Sequence, residues 1–215
     1  MKDASELMPH ARLFFDHCRG EPSKPGVMGP SLDPDEVSGA NVILSAMEGL
    51  PIAWAAYALA TAWHETGHTM QPVKERGGPR YFTRLYDVTG SRPSLARKMG
   101  NTTPGDGPRY CGRGYVQLTW KSNYYKAGKK LGVDLVGNPN LAMQREVAAK
   151  IMRHGMREGW FTGKRFDSYL PAHGMASRKQ FSDARRIING TDRAAMIAGY
   201  AVEFQEALSA GGWPW

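Results

Sequence analysis

The sequence is poor in several things that would assign it at once. It has two cysteines in 215 residues, Cys18 and Cys111. That excludes a disulfide framework and a cysteine-rich zinc site, and two lone cysteines read as small buried side chains. The longest apolar run, Pro51 to Trp63 ("PIAWAAYALATAW"), falls short of the roughly 18 residues of a membrane span and reads as a buried helix, so no stable membrane insertion is expected. No run of five or more lysines and arginines occurs, which argues against a tail that coats nucleic acid. The first twenty residues lack an uninterrupted apolar stretch, because Asp3, Glu6, His10, Arg12 and Asp16 break it up. The expectation is a chain made in the cytoplasm without a standard export signal. No internal repeat or low-complexity segment appears, and nothing indicates an oligomer, so a monomer is the default.

What is present is a normal core and an excess of positive charge. Hydrophobic residues make up 41% of the chain, and the net charge is +8 with a pI near 9.6. A broadly basic surface without a basic tail fits an extended anionic polymer.

Periodicity predicts a mainly helical protein. A first helix is expected over about 5–17, followed by a Gly- and Pro-rich loop over 19–34. Asp33 or Asp35 can cap a helix over 35–48. Pro51 suits a first helical position, and the apolar helix it starts delivers His64 and Glu65 at its far end. Residues 76–114 read as irregular. "YVQLTW", Tyr115 to Trp120, alternates like a short strand. Further helices are expected near 122–131, 141–160, 178–188 and 192–208, the last capped by Thr191. The organisation expected is a helix and loop over 1–40 packed on a catalytic domain over 41–215.

The stretch "HETGH", His64 to His68, can be read in two ways. In a zinc peptidase, histidines at i and i+4 share a helix face and bind one metal, and the glutamate between them activates its water. A third ligand is then needed. The extended pattern asks for Gly at 71 and His at 74, where this chain has Gln71 and Lys74. Glu146 and Glu158 are unmarked alternatives. The other reading is a pair of carboxyls for glycoside hydrolysis, one protonated and one ionised. Glu65 ends an apolar helix, where desolvation and the helix terminus favour the neutral acid. Glu75 lies between Lys74 and Arg76, which favour the ionised base.

Three segments then resemble one family. "AWHETG" (62–67), "YCGRGYVQLTWKSNYYKAGKKLG" (110–132) and "RRIING" (185–190) are similar to the corresponding motifs of glycoside hydrolase family 19, the plant-type chitinases and phage endolysins. The resemblance implies a lysozyme-like, two-lobed helical fold with a small β and loop lobe flanking a cleft. It implies an inverting mechanism with Glu65 as general acid, Glu75 as general base and Thr119 helping to hold the water. It implies sugar contacts from His64, Gln117, Asn123, Tyr124, Asn189 and Arg193, and no metal or other cofactor. This chain departs from the family wording at His68, at Tyr115 and in the short run after Asn189. The basic charge and the compact chain favour peptidoglycan glycan strands over neutral chitin as substrate. The expected role is that of an endolysin that acts on the periplasmic wall after release from the host cytoplasm. A chitinase, the zinc peptidase and a catalytically dead wall-binding module are the alternatives.

Overall fold

Pro9 decides how the chain begins. In the computed structural model, which describes all 215 residues, the single helix expected over 5–17 is two, α1 (Ala4–Leu7) and α2 (Ala11–Arg19). Met8 is extended between them, as the residue before a proline prefers. A two-residue antiparallel pair, β1 (Gly20–Glu21) with β2 (Lys24–Pro25), occupies part of the expected loop. Asp33, not Asp35, caps α3 (Pro34–Met47), through a capping box with Glu36. The following α4 (Ile52–Glu65) buries ten of its fourteen residues. A helix apolar on all sides is covered on all sides.

Residues 76–114 are more regular than their composition indicates. After β3 (Val73–Lys74) come α5 (Pro79–Tyr86), α6 (Pro93–Lys98) and α7 (Asp106–Arg109). Pro79 and Pro93 stand in the first turns of their helices. A proline there starts a helix rather than breaking one, because its missing N–H has no intrahelical partner anyway. Asp87 ties this segment together. Its Oδ1 accepts from the Thr89 amide and hydroxyl, and its Oδ2 from the amides of Gly105 and Gly107. Burial pushes this carboxyl up, but the bonds from Gly107, Thr89 and Gly105 outweigh it and hold it below its ordinary range.

The strand expected over 115–120 is not a strand. β4 is only Arg113–Gly114, paired antiparallel with β3 in the register Val73 to Gly114 and Lys74 to Arg113. A single bridge joins Arg113 to Leu118, and positive φ angles at Gln117 (53°) and Trp120 (77°) then curl the chain out of extended geometry. The remaining helices are α8 (Lys121–Leu131), α9 (Arg145–Glu158), α10 (Arg178–Ala184) and α11 (Ala194–Gly211). Arg193, rather than Thr191, occupies the N-cap of α11. Short 3-10 turns cover Pro139–Met143 and Arg185–Ile187.

Contacts divide the chain into two compact units, Met1–Gln71 with Met152–Trp215, and Pro72–Ile151. In the first, α11 packs on α4, α2 and α10, and α1 packs on α3. The N-terminal helices therefore belong to this core. Within it, a Cβ at Gly39 of α3 would lie 2.0 Å from the Met70 carbonyl oxygen, so this close approach requires glycine. In the second unit, α5 packs on α7, and β4 on the 3-10 turn Pro139–Met143.

Candidate active site

Glu65 is the last residue of α4 and is half-buried. Its surroundings are not simply apolar, as the sequence reading had them. The guanidinium of Arg185 donates to Glu65 Oε1 at 2.7 Å. Arg185 is 1% exposed, and its Nε donates to the Asp192 carbonyl oxygen. A buried cation needs such partners, since an unpaired charge in the interior costs far more than any of these bonds returns. Arg185 occupies Oε1 of Glu65 and makes no bond to Oε2. The sequence reading missed this residue. "RRIING" contains two arginines, and nothing in the string tells the buried one from the exposed Arg186.

The zinc geometry is absent. His64 lies in α4, but the helix ends at Glu65, and Gly67 and His68 both take positive φ, 63° and 71°. The i, i+4 relation that would align the two imidazoles is broken. His68 instead stacks on Trp63 with ring centroids 4.7 Å apart, and meets Tyr200 edge-on at 5.8 Å. No group of three His, Cys, Asp or Glu side chains is arranged to hold a metal ion. Burial pushes the His64 imidazole below its ordinary pKa; Glu65 opposes this, while Arg185, His68 and Arg193 reinforce it. Asn189 is exposed, and its amide donates to the Arg185 carbonyl oxygen; Arg193 is exposed at the start of α11.

The second acid is held by the other unit. Glu75 follows β3, and its amide donates to the Gly112 carbonyl oxygen at 2.9 Å. Gly112 N–H returns a bond to Glu75 Oε2 at 3.1 Å, and the Tyr86 hydroxyl donates to Oε1 at 2.8 Å. The donors that reach Glu75 are therefore neutral groups, not the flanking Lys74 and Arg76 that the sequence singled out. Tyr86 was not foreseen. It arrives on α5, a helix concealed in the segment read as irregular. Its phenol is pushed up, first by burial and then by its bond to Glu75.

The 110–132 segment braces itself around this point. Gln117 Nε2 donates to the carbonyl oxygens of Val73 and Gly114. Thr119 Oγ1 donates to the Gln117 carbonyl oxygen at 2.8 Å, and Asn123 Nδ2 to that of Thr119 at 2.8 Å. With its proton engaged, the Thr119 hydroxyl can only accept a further hydrogen bond. The expected sugar contact from Tyr124 is not available. Its side chain is fully buried, its hydroxyl donates to the Cys111 carbonyl oxygen, and it accepts from Arg113. Tyr124 holds the segment in place.

Residues 54–160 match the family model of glycoside hydrolase family 19, chitinase class I. Chitinase 11 of Oryza sativa subsp. japonica is 50% identical over 52 residues, which is 24% of this chain and 20% of that protein. An endochitinase of Arabidopsis thaliana is 30% identical over 99 residues, 46% of this chain and 31% of that protein. The chain thus spans less than a third of the length of these curated relatives. The crystal structure of chitinase C from Streptomyces griseus aligns with a TM-score of 0.55 at 23% identity, over 87% of this chain and 76% of that one. The likeness is one of fold, mainly α and lysozyme-like. The matched residues include all but the first two of α4, with Glu65, Glu75 and the whole 110–132 segment, and this chain is a member of glycoside hydrolase family 19.

Proposed function

We propose that this protein hydrolyses the β-1,4 bonds between N-acetylmuramic acid and N-acetylglucosamine in peptidoglycan, by single displacement with inversion. The observation that carries the reading is that each acid is fixed by its own partners. Glu65 is held through Oε1 by Arg185, and Glu75 through both oxygens by Tyr86 and Gly112. Glu65 delivers a proton from Oε2 to the glycosidic oxygen. Glu75 accepts one proton of the attacking water. Thr119 accepts the other as a hydrogen bond, because its own proton is engaged by Gln117. A water that donates both protons in this way points a lone pair at the anomeric carbon. A single displacement by water, with one carboxyl as acid and the other as base, inverts the anomeric configuration.

The net charge of +8 favours an anionic wall polymer over neutral chitin. The second reading, a chitinase, is favoured by the names of the relatives, which are chitinases of plants and bacteria.

Digestion of purified peptidoglycan with and without EDTA, followed by mass spectrometry, tests the proposal. Disaccharide-peptides with new reducing ends, unaffected by EDTA and absent with Glu65→Gln, are the expected products. Intact peptidoglycan alongside cleaved chitin oligomers would select the chitinase. Peptides freed from intact glycan strands would overturn both.

A further inference from the structure

The positive charge is concentrated in one unit. Of the 28 lysines and arginines, 15 lie within Pro72–Ile151 beside only five acids, so that unit carries +10 and the rest of the chain −2. Two of the five acids, Asp87 and Asp106, are buried, and Glu75 is tied to Tyr86 and Gly112. The surface of the unit is left with little to neutralise it. Self-repulsion on this scale works against a compact fold, which makes an external anion the natural counterpart.

One pocket has the chemistry to receive it. A depression of about 470 Å³ opens between α5 and the turn that follows it. Arg80 and Arg84 stand one turn apart on its helical wall, and Thr89 and Ser91 line the other side. Neither guanidinium is paired with a carboxylate; Arg84 lies 5.7 Å over the Tyr81 ring. Like charges at this spacing weaken the helix that bears them. The turn is pressed firmly onto α5. The amide and hydroxyl of Ser91 both donate to the Arg84 carbonyl oxygen, at 2.9 and 2.8 Å, and a Cβ at Gly90 would lie 2.2 Å from the Thr83 carbonyl oxygen.

The two walls differ chemically. The arginines offer only donors. The hydroxyls of Thr89 and Ser91 offer only acceptors, because their protons are engaged by Asp87 and by the Arg84 carbonyl. A ligand that suits both carries carboxylates and N–H donors together. That describes a short acidic peptide, and it disfavours a polyphosphate, which has acceptors alone.

We infer that the Arg80–Arg84 pocket binds the acidic stem peptides of peptidoglycan and holds the enzyme on its polymer. The inference rests on the reading of peptidoglycan as substrate, but it concerns residues that take no part in the hydrolysis.

The test is sedimentation of the full chain with sacculi stripped of lipid and teichoic acid, comparing wild type with Arg80→Gln/Arg84→Gln. Retention at low salt should fall at least about tenfold in the double variant, weakened like other multi-contact polyanion binding. It should fall as far for wild type on sacculi whose stem peptides have been removed by an amidase, with no further loss when both changes are combined. Hydrolysis of glycan strands freed of their stem peptides should be the same in both proteins. Unchanged retention in the double variant would overturn the inference. So would an equal loss in a Lys98→Gln/Lys129→Gln control, which would mean diffuse charge, or displacement from sacculi by polyphosphate or duplex DNA at lower concentration than by free stem peptide. Sacculi bound through the two arginines but not cleaved would leave the pocket standing and remove the hydrolase. Sacculi cleaved with binding indifferent to the arginines would do the reverse.

Discussion

Replacing Tyr86 by phenylalanine removes one oxygen atom and leaves the packing alone. The ring keeps its stack on Phe82, with centroids 6.4 Å apart, and its edge contact with Trp120 at 5.0 Å. What is lost is the donor to Glu75 Oε1 at 2.8 Å. A hydrogen bond to a charged acceptor contributes about 1.5–3 kcal/mol. Glu75 still has the Gly112 N–H on its other oxygen, so the carboxylate is loosened rather than released. The lower end of the range then applies, about 1.5 kcal/mol, which is roughly tenfold in rate. The expected result is a kcat about tenfold lower with KM unchanged, against a loss of about 10²–10⁴ for Glu75→Gln, where the base itself is removed. A spectroscopic check separates positioning from packing. Burial, and after it Glu75, pushes the Tyr86 phenol up, so ultraviolet titration of Glu75→Gln should show that phenol ionising at lower pH than in wild type. A wild-type kcat in Tyr86→Phe, with Glu75→Gln inactive, would refute the claim that Tyr86 positions the base.

Asp87→Ala strands the amides of Thr89, Gly105 and Gly107, and should cost about 2–4 kcal/mol in urea unfolding. The folded pKa of Asp87 lies below its ordinary value, so its stabilisation is present above the unfolded pKa of about 3.9 and is lost as pH falls through the folded one. The gap between wild type and variant should therefore narrow below about pH 4; a gap independent of pH would contradict the ionised carboxylate. Tyr115→Phe should be neutral or stabilising by up to about 1 kcal/mol, because the Tyr115 hydroxyl is buried without a hydrogen-bond partner. A lowered Tm there would reveal a partner. Gly39→Ala should destabilise by at least about 1–3 kcal/mol, since its Cβ would meet backbone that cannot rotate away; an unchanged unfolding midpoint would mean that α3 can move off Met70.

Helices with a long apolar period were legible, and so was their punctuation. Asp33 caps its helix as capping chemistry asks, Pro51 stands at the N-cap of α4, one place before the first helical position expected for it, and α4 is as buried as its composition requires. Segments decided by local geometry were not. The alternation of "YVQLTW" is real, but Gln117 and Trp120 take positive φ to meet tertiary demands that no propensity encodes. Residues 76–114 read as irregular although Pro79 and Pro93 open helices, because a proline reads the same whether it opens a helix or ends a loop. In the candidate site, Glu65 was marked by the motif around it and Glu75 only by its place in the loop that follows. Their partners were not, because an arginine 120 residues from Glu65 or a tyrosine on an unrecognised helix has no local mark of its role.

That difference bears on how the acids are tuned. Read locally, Glu65 owed its character to apolar neighbours and Glu75 to flanking cations. In the folded chain the assignments are exchanged: the cation, Arg185, touches Glu65, and neutral donors touch Glu75. In the proposed mechanism, a guanidinium fixed on Oε1 leaves Oε2 of Glu65 as the oxygen that faces the leaving group. The donors that hold Glu75 are neutral and place no positive charge on its oxygens, which suits the base of the proposed mechanism. The proposed chemistry asks that the two carboxyls be fixed and differ in surroundings, and the exchange leaves both features in place. The residues that fix them, Arg185 and Tyr86, come from the turn after α10 and from α5, elements that only the fold brings to the acids.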